Sequence, residues 1–113
     1  MKLNVGSGRP EPEYRNTGWI NLDLHWNNKL TVQGNMLQMP FRSNSFDEAH
    51  LIHTLEHLPR DKSYPVLCEI LRVLKPGGKA YIEVPNIPET VKQMHRAYEN
   101  NESNAVLDLT ISL

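Results

Sequence analysis

Several features that would point to a function class at once are scarce in this 113-residue sequence. There is one cysteine, Cys68, so no disulfide can form within the chain. It falls in an apolar helical pattern and is expected to pack as a small hydrophobe. No run approaches the roughly 20 apolar residues of a membrane helix. The first residues lack the charged-then-apolar design of a secretory signal. These absences predict a cytoplasmic protein with no membrane association. The formal net charge is −1, which leaves no strong field to draw the chain to nucleic acid. The loose basic group Arg72, Lys75 and Lys79 reads as a solvated helix end. Trp19 and Trp26 have no basic groove around them, so they read as core or rim packing rather than base-stacking platforms.

With 39% hydrophobic residues, the chain has enough apolar material for a single domain over residues 1–113. Lys2 to Val5 reads as a short buried strand, and Arg9 to Thr17, with two prolines, as a loop. Trp19 to Leu24 alternates apolar and polar residues and predicts a second strand; Leu30 to Gln33 predicts a third. Met36 to Asn44 reads as loop, with Met39 to Phe41 as packing. Phe46 to Ile52 predicts a buried fourth strand. Ser63 to Leu74 is the clearest helix, with Tyr64, Leu67, Ile70, Leu71 and Leu74 on one face. Ser63 is its expected cap, Pro65 belongs in its first turn, and Lys75-Pro76-Gly77-Gly78 is its stop. Lys79 to Val84 predicts a fifth strand and Pro88 to Tyr98 a second helix. Glu99 to Asn104 reads as a polar break, and Ala105 to Leu113 fits strand or helix equally. Strands interleaved with crossovers predict an α/β fold with an open, mainly parallel sheet. About a dozen residues join the first two strands, near the minimum for a parallel crossover, and the prolines exclude a full helix there.

The stretch LNVGSG, residues 3–8, places two glycines after the first strand. Glycine there permits a sharp turn and a close backbone approach to a ligand at the carboxyl ends of the strands. The dinucleotide fingerprint needs a third glycine opening a helix, and here Arg9, Pro10 and Glu11 follow instead. Asp23, near the end of the second strand, adds a carboxylate able to accept from two ribose hydroxyls.

Four segments in order resemble class I S-adenosylmethionine-dependent methyltransferases of the small-molecule type. They are LNVGSG, GWINLDL, GNMLQMPFRSNSFDEAHLIHTLEHL and LCEILRVLKPGGKAYIEVPN. The resemblance implies a Rossmann-like three-layer sandwich of about five strands in the order 3-2-1-4-5, lacking the usual last two strands. It implies S-adenosylmethionine as cofactor, S-adenosylhomocysteine as product and a small-molecule methyl acceptor. Gly6 and Gly8, with the backbone near Val5 and Ser7, would lie against the methionyl arm. Asp23 would hold the ribose, and Leu24, Met36 and Leu37 would border the adenine. Asn35 stands where the family often has an acid that accepts from the adenine amino group. Ile52 and His53 would lie beside the reacting centre, with His53 the candidate catalytic base. The alternative is a non-catalytic methyltransferase-like module acting through protein contacts, such as a homodimer formed along an exposed fifth strand.

His53-Thr54-Leu55-Glu56-His57 also spells H-x-x-E-H, an inverted zinc-protease signature. On a helix the two histidines could share a metal, with Glu56 as base. Pro59 shortens any such helix and no third ligand is evident, so no metal is expected.

Overall fold

Local pattern and long-range pairing agree on a single parallel sheet. A computed structural model describes residues 1–85, 88–100 and 106–112. Its strands are β1 (Lys2–Val5), β2 (Trp19–Asp23), β3 (Val32–Gln33), β4 (Phe46–Ile52), β5 (Leu74–Pro85) and β6 (Val106–Ser112). Its helices are α1 (Arg60–Val73) and α2 (Pro88–Asn100). The sheet order is β3-β2-β1-β4-β5-β6, and every adjacent pair is parallel. The expected 3-2-1-4-5 order is present, with a sixth strand added beyond β5. The ambiguous C-terminal run is therefore strand over Val106–Ser112, while Ala105 and Leu113 lie outside the described residues. Glu99 and Asn100 of the expected polar break belong to α2, and residues 101–104 lie outside the described set.

The parallel register sorts the strand residues into two faces. Leu3, Val5, Leu22, Ala49, Leu51, Ala80, Ile82 and Val84 project to one side and are buried. Val66, Leu67, Ile70 and Val73 join them from α1 at 3- and 4-residue spacing, and Ala97 from α2. The two helices pack against each other over this apolar face. The opposite face carries Lys2, Asn4, Trp19, Asn21, Glu48, His50 and Tyr81. Its cover is the β1–β2 connection, whose only regular element is the 3-10 turn Pro12–Tyr14. The two prolines limit this third layer to one short turn.

Several local expectations change. Helix α1 starts at Arg60, right after Pro59, and Asp61 supplies a favourable charge to its first turn. Ser63 therefore lies buried inside the helix instead of capping it, and Pro65 sits in the interior at the loss of one backbone bond. The chain passes from α1 directly into β5, and Lys75–Gly78 bulges between the pairs Phe46–Leu74 and Glu48–Lys79, with Gly77 at φ +80°. Because β6 covers β5, the exposed fifth-strand edge invoked for a homodimer does not exist. Arg72 is not a solvated charge. Its guanidinium binds Glu69 and donates to the carbonyls of Phe41 (2.9 Å) and Met39 (3.1 Å). Glu69 also accepts the Met39 amide at 2.8 Å, which clamps the β3–β4 connection to α1. Met39 is buried and Phe41 meets Phe46 edge to face, as the packing reading of that loop predicts. Trp19 is half-buried, but Trp26 is 69% exposed and packs in neither core nor rim. Cys68 is half-buried at the margin of the core. Among the described residues, no helix is long and apolar enough to cross a membrane.

Candidate functional site

The carboxyl ends of β1, β2 and β4 converge on the LNVGSG turn. Gly6 and Gly8 adopt φ +65° and +51°, which other residues adopt only with strain. A Cβ on Gly6 would lie 2.6 Å from Thr54 Cγ2 and 3.1 Å from Met36 Cε, so protein side chains already fill the space that glycine leaves. A Cβ on Gly8 would have nothing within 4 Å. Two glycines in one motif thus serve different ends: Gly6 admits a neighbouring side chain, and Gly8 borders open space.

The turn is tied to the end of β2. Ser7 N donates to the Leu22 carbonyl at 3.0 Å, extending the β1–β2 pairing. Asp23 accepts the Gly8 amide on Oδ2 at 2.7 Å and the His25 amide on Oδ1 at 2.9 Å. Asn27 Nδ2 donates to the Gly8 carbonyl at 2.8 Å, which fixes the following loop to the same turn. The carboxylate of Asp23 is half-exposed, and each oxygen keeps accepting capacity beyond its one amide.

Beside the turn lies a cavity of about 260 Å³ lined by Asn4, Gly6, Ser7, Arg9, Glu11, Glu13, Tyr14, Ile52 and His53. Of the residues singled out from the sequence, this cavity brings together Gly6, Ser7, Ile52 and His53. Val5 is not in the cavity; its side chain is buried on the apolar face, leaving only its backbone near the turn. Leu24 is exposed on the loop after β2. Asn35 uses its Oδ1 to accept the Leu37 amide at 2.9 Å. Met36 and Leu37 are half-buried against the core, and Met36 reaches the glycine turn. Arg9, Glu11, Glu13, Tyr14 and Asn4 carried no sequence signal. Asn4 projects into it from β1, and the loop that carries the other four reaches the site only because the short crossover folds back over the sheet.

His53 has φ +51° and ends β4; its amide donates to the Glu83 carbonyl at 2.9 Å, and its Nε2 lies 3.7 Å from Glu83 Oε1. A non-glycine residue in this region is uncommon and clusters at sites where the surroundings enforce it. Tyr14 donates to or accepts from His50 Nδ1 at 3.1 Å. Burial raises the Tyr14 pKa, with Glu13 and Glu83 adding to the rise. Burial lowers the His50 pKa, against the opposing pull of Glu48.

The H-x-x-E-H run does not build a metal centre of the expected kind. His53 is left-handed, Leu55–His57 form a single 3-10 turn, and α1 starts only at Arg60, so the two histidines do not share a helix face. The Glu56 side chain lies outside the described residues. Among the described residues no group of three or more His, Cys, Asp or Glu could hold a metal ion.

A family profile described as a methyltransferase domain matches residues 14–82. The chain is 43% identical over 79 residues to the demethylmenaquinone methyltransferase of Listeria welshimeri, covering 67% of this chain and 31% of that protein. It is 56% identical over 47 residues to 24-methylenesterol C-methyltransferase 2 of Arabidopsis thaliana, covering 42% of this chain and 12% of that protein. The chain therefore spans less than a third of the length of these curated relatives. Among solved structures it is similar to the [4+2]-cyclase SpnF, with a TM-score of 0.68 at 18% identity, covering 85% of this chain and 50% of that one. That last likeness concerns the fold alone, which hosts more than one chemistry.

Proposed function

The chain belongs to the methyltransferase domain family, and from that premise we propose that it binds S-adenosylmethionine across the carboxyl ends of β1, β2 and β4 for methyl transfer to a small-molecule acceptor. The observation that carries the reading is the 2.7 Å bond between the Gly8 amide and Asp23, which makes the glycine turn and the acid one continuous edge beside the cavity.

The residues present fit this cofactor in three respects. Asp23 retains acceptor capacity for two ribose hydroxyls. At 260 Å³ the cavity is below the usual 300–1,000 Å³ range of ligand pockets. It suits the amino-acid arm, with the nucleoside outside it along Leu24, Met36 and Leu37. The charged lining, Arg9 with Glu11 and Glu13, suits an arm that bears a carboxylate and two cationic centres. Asn35 then offers the adenine an uncharged amide in place of an acid.

When bound, the cofactor supplies a methyl group on an already activated sulfonium, so the protein's task is to orient the two partners and exclude water. Glu11 and Glu13 would offset the positive charge, Ile52 would keep the cavity floor apolar, and Gly8 would leave room for the approach. Where the acceptor must lose a proton, His53 at the end of β4 is the base this reading assigns. The names of the two relatives, one concerning a menaquinone precursor and one a sterol, support an acceptor of small-molecule size.

The test is calorimetric titration of S-adenosylmethionine and S-adenosylhomocysteine into the protein and its Asp23→Ala variant. Micromolar binding lost in the variant supports the site. Absence of binding at millimolar cofactor removes the reading.

A further inference from the structure

His50 takes no part in the chemistry proposed above, and yet it is the titratable side chain to which the cavity wall is fastened. It projects from the middle of β4 on the polar face, among the rings of Trp19 (4.6 Å between centroids), Tyr81 (4.9 Å) and Tyr14 (5.7 Å). Tyr14 belongs to the connection that carries Arg9, Glu11 and Glu13 along one side of the cavity. That connection has a buried anchor and a half-buried one. Pro10 is the first. Tyr14 is the other, through its hydroxyl at 3.1 Å from His50 Nδ1, its carbonyl accepting from Asn21 Nδ2 at 2.8 Å, and its ring edge on Trp19.

We propose that His50 is a positioning residue for the cavity: by accepting the Tyr14 hydroxyl it holds the wall that bears Arg9, Glu11 and Glu13, so ligand affinity follows the charge of a ring that does not line the cavity. With the Tyr14 hydroxyl as donor, this bond needs the neutral ring. Nδ1 accepts from Tyr14 only when the proton sits on Nε2. Nε2 is buried and lies 3.4 Å from Glu48 Oε2, too long for a good hydrogen bond. A second proton makes Nδ1 a donor, so the Tyr14 hydroxyl must turn round, and it places a cation among three rings.

The charged and titratable groups facing the ring are Lys2 on β1, Glu48 on β4, Tyr81 on β5, and Glu13 and Tyr14 on the connection. Glu48 and Glu13 favour the cation; burial, the largest influence, and Lys2 oppose it. Since the folded pKa is lowered, the contribution of the neutral ring is complete above the ordinary histidine value of about 6.5 and is lost as pH falls below it.

The inference uses the cofactor reading only for its probe. The experiment titrates S-adenosylhomocysteine into wild type, His50→Asn and Tyr14→Phe between pH 5.5 and 7.5. In parallel it follows hydrogen exchange at the Tyr14 and Arg15 amides, which donate to the carbonyls of Glu11 and Pro12. His50→Asn keeps an acceptor near the Nδ1 position but cannot be charged. Wild-type affinity is expected to fall at least about twofold more than that of His50→Asn between pH 7.5 and 5.5, with the fall concentrated at the acid end because the folded pKa lies below the ordinary histidine value. Tyr14→Phe is expected to bind about fivefold more weakly at pH 7.5. After correction for intrinsic rates, protection of the two amides should fall with pH in wild type and stay level in His50→Asn. A His50→Asn variant with the wild-type pH slopes, or a Tyr14→Phe variant that binds and exchanges like wild type, overturns the proposal. If wild type binds no cofactor at any pH, the cofactor reading fails by itself, and the exchange profiles alone decide the role of His50.

Discussion

The two faces of this sheet are built from the same strands but by different physics. On the helix side, Leu3, Val5, Leu22, Leu51 and Ile82 are buried in one apolar cluster with Val66, Leu67, Ile70 and Val73 of α1, Ala97 of α2 and Met39 of the β3–β4 connection, and stabilisation there scales with apolar area. On the other side, Asn4, Asn21, His50 and Tyr14 form bonded pairs under one short loop, and stabilisation depends on each polar atom finding its partner. The first face tolerates imprecise placement and holds the domain together. The second requires accurate placement, and it borders the cavity. Function thus sits against the thinner layer, where a small rearrangement moves the lining without disturbing the core.

The apolar side carries the largest expected effect. Leu51→Ala should lower unfolding free energy by about 2–5 kcal/mol in urea denaturation while leaving cofactor affinity of the folded fraction unchanged. A loss as small as that of a polar-face variant would mean the helix layer is loosely packed. On the polar side, Asn21→Ala removes the acceptor of Asn4 Nδ2 and the donor to the Tyr14 carbonyl. It should cost about 1–3 kcal/mol and, unlike Leu51→Ala, weaken ligand binding in the folded protein.

The glycine turn sharpens the contrast at the boundary between the faces. Gly6→Ala carries both the left-handed penalty and the clash with Thr54, and Gly8→Ala carries only the penalty of about 1–2 kcal/mol. Gly6→Ala should therefore be the more destabilised of the two by denaturation, and adding Thr54→Ser, which deletes the clashing methyl, should recover part of the difference. In calorimetry, Gly8→Ala should harm binding more than stability.

The smallest effect concerns acid. The pKa of Glu69 is held below its ordinary value by Arg72, with the Met39 amide assisting. A lowered folded pKa means the contribution is complete above the ordinary glutamate value of about 4.3 and drains away as pH falls below it. The pair is partly exposed, so the change should be about 1 kcal/mol or less. Glu69→Gln should flatten the stability profile below pH 4.5 by that amount, and a profile identical to wild type would assign the acid limb to other carboxylates.

Much of the fold could be read along the chain. Alternation in WINLDL and the apolar run of β4 place those strands, and the spacing of Tyr64, Leu67, Ile70 and Leu71 places α1, although the buried face also takes Val66 and Val73 and Leu74 opens β5. The errors are equally physical. Ser63 and Pro65 resemble a helix start, but Pro59 ends the preceding segment and lets the helix begin three residues sooner. Lys75-Pro76-Gly77-Gly78 resembles a pure helix stop, but β4 recruits Leu74 on one side and Lys79 on the other, so the four residues become a bulge within β5. Arg72 resembles a solvated charge until two carbonyls from a loop some thirty residues earlier accept from it. At the site, Gly6, Ser7, Asp23, Ile52 and His53 were legible because each stands at a strand end. Glu11, Glu13 and Tyr14 were not, because their places depend on how a loop returns.

By itself, then, the sequence determined that β1 to β5 are strands and that α1 and α2 are helices, though not their exact ends nor the state of the C-terminal run, and where glycine is needed, since periodicity and turn chemistry act within a few residues. Only the tertiary structure decided which face receives the helices, that β6 covers β5, that Thr54 fills the space beside Gly6, and that His50 lies under Tyr14. Each of those pairs residues 30 or more apart in the chain, or reflects a parallel register set by the whole sheet, and no local pattern encodes such a contact.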